Sequence, residues 1–449
     1  MRTPIADFVR SYAQSGTSRL HMPGHKGTGP LGCEHLDITE VHGADALYEA
    51  EGIIGRSEES AAALFGSGRT VFSTEGSSQC IRAMLCLART NRPTGTKPVV
   101  VAARNVHKSF VFAAALLDLE VVWLAPEGDA RSLCSCRITA DTLERTLAAM
   151  EAPPAAVYLT SPDYLGGQAD IAALARVCHR RGTILLVDNA HGAYLHFLPE
   201  PSHPLDLGAD LCCDSAHKTL PVLTGGAYLH IGKYLPQPFQ DNAKSAMALF
   251  GSTSPSYLIM ASLDLCNRYL AEEAPAALAR CVDRLEGLRR RLTDNGWQVE
   301  ATDPLRVTLN APEGVTGLEL AQRLREHQVE CEYADPEFLV FMATPGNTRQ
   351  DFDRIVRALG INTASPARRS PLPVVIGKQV MSIREALFSP HAIIPASEGL
   401  GRICASPTVS CPPAIPIAVS GEVITPEAME LFRHYNVSTL DVVLQGNRP

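Results

Sequence analysis

The stretch DLCCDSAHKTLPVLTGG (residues 210–226) organises the reading of the chain. Its apolar, β-prone start leads into Ser215, Ala216, His217 and Lys218, and a turn containing Pro and Gly follows at once. A strand that ends this way carries its last side chains to the rim of a sheet. Lys218 is then either a solvated loop lysine or the reactive group of a pocket. Burying a lysine that is neither paired nor used chemically is unfavourable, because the ammonium loses its hydration. The strands around this one separate the two readings.

Working outward, TVFST (70–74), PVVVAA (98–103), EVVWLAP (120–126), AAVYLTSP (155–162) and TILLVDNA (183–190) are apolar runs rich in β-branched residues. Helical patterns lie between them, through SEESAAALFG (57–66), 79–88, FVFAAALL (110–117), 139–151 and 170–181. Strands without alternation, separated by helices, predict a parallel sheet covered on both faces. In such sheets ligands bind beyond the strand C-terminal ends.

Those ends carry chemistry. Gly76, Ser77 and Ser78 follow the first run and open a helix, where N-terminal amides can hold a phosphate, although such turns also simply cap helices. RNVHKS (104–109) brings His107 to the mouth of the sheet, and DYLGGQAD (163–170) is a Gly-rich turn before a helix. Asp188, Asn189, Ala190 and His191 close another run, and an acid at such a place needs a positive partner.

Composition narrows the classes. The 449 residues allow two or three domains, and 45% hydrophobic with 20% charged residues is ordinary for a soluble globular chain. A net charge of −8 without a basic cluster argues against a nucleic-acid partner. Thirteen cysteines, odd in number and scattered, fit reduced thiols. The CxC at Cys134 and Cys136 and the pair Cys212 and Cys213 lack a second pair at zinc-finger spacing, so no metal is expected. The N-terminal MRTPIADFVRSYAQSG is charged where a signal peptide is apolar, and no run of about 18 apolar residues occurs. A cytoplasmic protein with no membrane association is expected.

One cofactor accounts for the strand ends together. Pyridoxal phosphate needs a lysine for a Schiff base, a carboxylate to keep its pyridine nitrogen protonated and a phosphate cradle. Lys218, Asp188 and the Gly76-Ser77-Ser78 turn offer these.

The chain resembles the Orn/Lys/Arg decarboxylase family of fold-type I pyridoxal-phosphate enzymes. The resemblance rests on LHMPGHKG (20–27), RNVHKS, VDNAHGAY (187–194), SAHKTLPVLTGGAYLHI (215–231), TSPSYLIMASLD (253–264), GRI (401–403) and PPAIP (412–416), and so covers nearly the whole chain. It implies an α/β fold: a mostly parallel sheet between helices, a small α+β domain and a C-terminal decarboxylase domain. The implied divisions are an N-terminal segment contributing to site and dimer (1–55), a cofactor-binding large domain (56–270), the small domain (271–363) and the C-terminal domain (374–449). The implied activity is decarboxylation of arginine, lysine or ornithine. In the implied site Lys218 forms the Schiff base and Asp188 pairs with the pyridine nitrogen. His107 stacks on the ring, Ala190 covers its other face, and His217 sits beside the substrate. Gly76, Ser77, Ser78 and Ser215 hold the phosphate, and His191 stands near the phenolic oxygen. The resemblance also implies a homodimer or larger with the site at the interface, where Ser254 reaches the partner's phosphate. Candidates for reading the substrate's distal cation are Asp37, Glu40, Asp45 and Glu398.

Three positions depart from the family pattern: Asn189 in place of Glu, Gly225 where Gln is frequent, and SCPPAIP (410–416) in place of YPPGIP. The first is expected to point away from the ring, whereas the other two fall where selectivity is set.

Further on, the pattern predicts a short amphipathic helix at 1–16, with Ile5, Phe8, Val9 and Tyr12 on one side, docked on another subunit or domain. A long helical stretch at 256–295 precedes strands at GWQVEA, LRVTLNA, VECEYA and FLVFMA, and helices at TGLELAQRLREHQ and TRQDFDRIVRALG. The stretch FLVFMATPGNT (338–348) has no arginine, where fold-type I aminotransferases grip the substrate carboxylate. Tight pairing of that carboxylate would stabilise the ground state of a decarboxylase, so its absence favours decarboxylation over transamination. An aminotransferase or lyase of the same fold, or a non-catalytic regulatory homologue, are the competing readings.

Overall fold

A computed structural model describes residues 1–92, 98–128, 131–365, 367, 371–410 and 414–444. In chain order the strands are β1 (Arg69–Ser73), β2 (Val99–Ala103), β3 (Glu120–Leu124), β4 (Ala156–Thr160), β5 (Leu185–Asp188), β6 (Leu211–Asp214), β7 (Ala227–Ile231), β8 (Arg306–Asn310), β9 (Tyr333–Ala334) and β10 (Phe338–Met342). The helices used below are α1 (Pro4–Gln14), α2 (Ile53–Phe65), α3 (Gly76–Thr90), α4 (Lys108–Leu116), α5 (Ala216–Thr219), α6 (Tyr257–Glu272), α7 (Gly317–Glu326) and α8 (Arg349–Leu359). They belong to two compact units, Met1–Pro93 with Ile184–Ala279, and Thr94–Thr183 with Arg280–Pro449.

In the first unit the strands pair in the order β1-β7-β6-β5. β5 and β6 run parallel, but β7 is antiparallel to both of its neighbours. The sheet is mostly parallel, as expected, and β7 is the strand that runs against its neighbours. Residues 215–226 join it to β6, and they hold only the single-turn helix α5 rather than a helix long enough to cross the sheet face as parallel connections usually do. Helix α1 buries Ile5, Ala6 and Val9 and packs against α2 and α6. The backbone N–H groups of Ile5 and Ala6 donate to Asp264 Oδ2 at 2.9 and 3.0 Å, and Ser57 Oγ donates to its other oxygen at 2.6 Å. α1 is thus seated on α2 and α6, beyond the 1–55 segment to which it belongs.

The second unit contains the parallel set β4-β2-β3 and the antiparallel set β8-β10-β9. Capping boxes at Thr316 with Glu319 and at Thr348 with Asp351 start α7 and α8. GWQVEA makes one isolated bridge, Val299 to Leu309, and VECEYA is strand only at Tyr333–Ala334. The chain beyond residue 371 is tied to the β2–α4 connection. Arg104, just after β2, donates to Val375 O at 3.0 Å, Ile417 O at 3.1 Å and Glu422 Oε2 at 3.0 Å, and Lys108 N donates to Ala414 O. Cys411 and the start of PPAIP lie outside the described residues. The described cysteines are free thiols.

Candidate functional site

The first unit brings the ends of β5 and β6 and the start of α3 into one region. β5 ends at Asp188, which is buried; its Oδ1 accepts Ala190 N–H at 3.2 Å and faces Cys213 Sγ at 3.6 Å. After β6 the chain makes the single turn α5, which carries His217 and Lys218, both half-buried. Lys218 Nζ lies 2.8 Å from the Nε2 of the buried His191. The half-buried lysine is thus held by an imidazole.

His217 has its Nδ1 2.9 Å from Gly226 O, so that nitrogen carries the proton and donates it. Burial pushes the His217 pKa down, and the neighbouring Lys218 adds to the effect. The imidazole is therefore neutral, with Nε2 available as an acceptor.

Helix α3 begins at Gly76, whose φ is +71°, and its N-cap residue Glu75 makes no side-chain capping bond. Ser77 and Ser78 form its first turn. Ser73 Oγ fixes the turn by donating to Gln79 Oε1 at 2.6 Å and accepting Glu75 N–H at 3.1 Å. A helix of this length that starts without a capping side chain suits an anion at its N-terminus. Gly76 N–H donates to Gly225 O at 2.7 Å, and a Cβ on Gly76 would lie 3.9 Å from His217 Cε1, so this turn adjoins the lysine segment.

The structure accounts for Gly225. Its φ is +99°, and a Cβ there would stand 2.7 Å from Thr74 O. A larger residue does not fit this backbone without movement. Asn189 is fully buried and points away from Asp188: its Nδ2 donates to Asp214 Oδ1 at 2.7 Å.

Other expected residues have their own surroundings. Ala190 is half-buried, and Ser215 is buried at the N-cap of α5. His107, in the second unit, N-caps α4 by accepting Ser109 N–H at 3.2 Å. Asp37 faces His25 at 3.2 Å. Asp45 accepts Gly52 N–H at 2.8 Å and Ile54 N–H at 3.0 Å, at the start of α2. Glu40, Ser254 and Glu398 are exposed.

Sequence reasoning missed one cluster. Asp214, His203 and His230 are all fully buried, with both Nε2 atoms on Asp214 Oδ2, at 3.1 Å from His203 and 3.2 Å from His230. Burial alone would raise the Asp214 pKa, but the two histidines outweigh it and hold the carboxyl well below the usual range. The available signal was the one used for Asp188, an acid closing a buried strand.

A model of the family described as "Orn/Lys/Arg decarboxylase, major domain" matches residues 3–312. An arginine decarboxylase of Halalkalibacterium halodurans is 28% identical, over 98% of this chain and 95% of its own. The uncharacterized protein YaaO of Bacillus subtilis is 30% identical, over 100% and 96%. Among solved structures, the Francisella novicida lysine decarboxylase LdcF superposes with a TM-score of 0.79 at 16% identity, over 98% of this chain and 81% of that one.

Proposed function

Since the chain belongs to the Orn/Lys/Arg decarboxylase family and is an amino-acid decarboxylase of the pyridoxal-phosphate-dependent class, we propose that it decarboxylates arginine, lysine or ornithine to agmatine, cadaverine or putrescine. Arginine is the first substrate to assay, because relatives at 28% and 29% identity carry the name arginine decarboxylase.

The observation that carries this reading is the pairing of Lys218 with His191 in the same unit as the buried Asp188 and the uncapped start of α3. That donor set fits pyridoxal phosphate: an amine for the aldehyde carbon, a buried carboxylate for the protonated pyridine nitrogen and a helix N-terminus for the phosphate. Lys218 would hold the cofactor covalently, Asp188 would pair with its ring nitrogen, and Gly76, Ser77, Ser78 and Ser215 would hold the phosphate. His107 and Ala190 would cover the two ring faces. When bound, the cofactor supplies the electron sink that takes up the pair left on the substrate Cα as carbon dioxide departs.

The protein's own residues move the protons. His191 Nε2, beside Lys218 Nζ, takes a proton from the ammonium and leaves a nucleophilic amine. Neutral His217 holds its Nδ1 proton on Gly226 O, which leaves Nε2 to exchange a proton with the substrate side. For the distal cation the candidates are Asp37, Asp45 and Glu398. The reading includes the four-part division at residues 55, 270, 363 and 374, a homodimer or larger with Ser254 at the shared site, and a cytoplasmic location. Among the described residues no helix is long and apolar enough to cross a membrane.

The test is product analysis of purified protein with each of the three amino acids. Carbon dioxide with the matching amine supports the reading. A keto acid in its place, or no amine from any of them, rejects it. Lys218→Ala should abolish turnover and the borohydride-sensitive visible absorption together; turnover retained in that variant would remove the lysine from the mechanism.

A further inference from the structure

We propose that His203, Asp214 and His230 form a structural zinc site, separate from the proposed catalytic groups. The ligand atoms all lie within 4.8 Å of one another and every residue of the set is fully buried. Both Nε2 atoms converge on one carboxylate oxygen, Asp214 Oδ2, at 3.1 and 3.2 Å. Around a tetrahedral zinc with ligand bonds of about 2.0–2.1 Å, neighbouring ligand atoms stand roughly 3.3–3.4 Å apart, so each imidazole needs to part from the carboxylate oxygen by only tenths of an ångström.

The outer contacts match what a metal requires. Asp214 Oδ1 accepts Asn189 Nδ2–H at 2.7 Å, which leaves Oδ2 for a metal. His230 Nδ1 lies 2.8 Å from Thr70 Oγ1, and Thr70 in turn lies 2.8 Å from Ser67 Oγ. A proton on that Nδ1 frees Nε2 for coordination. His203 Nδ1 receives only a long 3.4 Å contact from Leu205 N–H, so moving the ring proton from Nε2 to Nδ1 gives up little and turns the Nε2 lone pair toward a metal.

Cys212 is a neighbouring donor that stands outside the three-ligand set and would have to move inward to complete a tetrahedron. It shares a face of β6 with Asp214, stands opposite His230 in the β6–β7 register, and brings Sγ to 3.9 Å from His203 Nε2. Two imidazole nitrogens with one carboxylate oxygen favour zinc over magnesium or calcium, which take oxygen. The Phe65 ring, 4.4 Å from the His230 ring and 5.6 Å from that of His203, adds an apolar wall. With no exposed ligand, the ion would enter as the chain folds, and it would tie the loop at residue 203 to both strands that flank Lys218.

The experiment is zinc quantification by plasma mass spectrometry on tag-free, cofactor-loaded protein from zinc-supplemented cells, passed over a chelating resin. About one zinc per chain is expected, with a zinc-edge absorption spectrum showing imidazole nitrogens in the first shell. His203→Gln should lose at least tenfold in zinc content, while Glu398→Gln, far along the chain, should keep it. Because His203→Gln can fail to fold, the spectrum of the unaltered protein decides independently. Zinc below about a tenth of an ion per chain, also after unfolding and refolding with zinc, overturns the proposal. So does a first shell without imidazole.

Discussion

Truncating Glu422 to alanine should destabilise the second unit by about 3–5 kcal/mol. Glu422 Oε2 and Arg104 Nη2 are 3.0 Å apart, with the two side chains 1% and 8% exposed. At an effective dielectric near 20, that separation corresponds to an attraction of about 5–6 kcal/mol. The alanine also strands Val419 N–H, which donates to the same oxygen at 2.9 Å, at a cost of about 1–3 kcal/mol. Against this, the carboxylate no longer has to be buried, a penalty visible in its raised pKa. Arg104 keeps the carbonyls of Val375 and Ile417, so the guanidinium stays inside with its charge uncompensated. The assay is urea unfolding followed by tryptophan fluorescence. Both tryptophans, Trp123 and Trp297, belong to the second unit, and Trp123 lies under the guanidinium at 5.0 Å. The double substitution Arg104→Met with Glu422→Leu should recover most of the loss, because it removes both charges at similar volume. A cost below about 1 kcal/mol for the single change, or a double variant no more stable than the single, would refute this account of the pair.

Gly225→Ala should cost about 1–3 kcal/mol through its positive φ and the approach to Thr74 O, and should weaken cofactor retention by moving the Gly76 turn. An unchanged melting temperature and an unchanged pyridoxal-phosphate titration would count against it. The lowered pKa of His217 means the native state takes up its proton later than the unfolded chain as pH falls. The stability it contributes is complete above the ordinary value of 6.5 and is lost on acidification below it. Melting temperatures taken across that range should fall, and less steeply in His217→Asn; equal slopes would contradict the assignment. Asp45→Asn should lower stability by about 1 kcal/mol, because its carboxylate serves the first turn of α2. A raised KM with unaltered stability would make Asp45 a substrate contact instead.

What the residues disclosed, and what they hid, follows from how far apart the interacting parts lie. The strands ending at Asp188 and Asp214 are continuous apolar runs, and a buried parallel pair leaves that mark on one stretch of chain. Lys218 was legible because its chemistry sits next to its strand. The direction of β7 was not, since it depends on the short span 215–226 rather than on the strand's own residues. GWQVEA has strand composition, yet it forms only the single bridge of Val299 to Leu309, flanked by Asn310 N–H on Gln298 O and Glu300 N–H on Thr308 O. The cluster at Asp214 was hidden for a similar reason, as its members at 203, 214 and 230 come from a loop and two strands. Gly225 stood out as a departure, but only the distance to Thr74 O explains it.

The pairing of β1 with β7 also sets a schedule for synthesis on the ribosome. β1 finds its strand partner about 150 residues later, a wait of roughly 8–30 s at translation rates of about 5–20 residues per second. During that interval Val71 and Phe72, fully buried in the finished protein, have no sheet to enter. The second unit's strands β2, β3 and β4 emerge meanwhile and can pair with one another first. Nascent chains halted before residue 227 should therefore engage chaperones that bind exposed strands, and release from them should coincide with the emergence of β7.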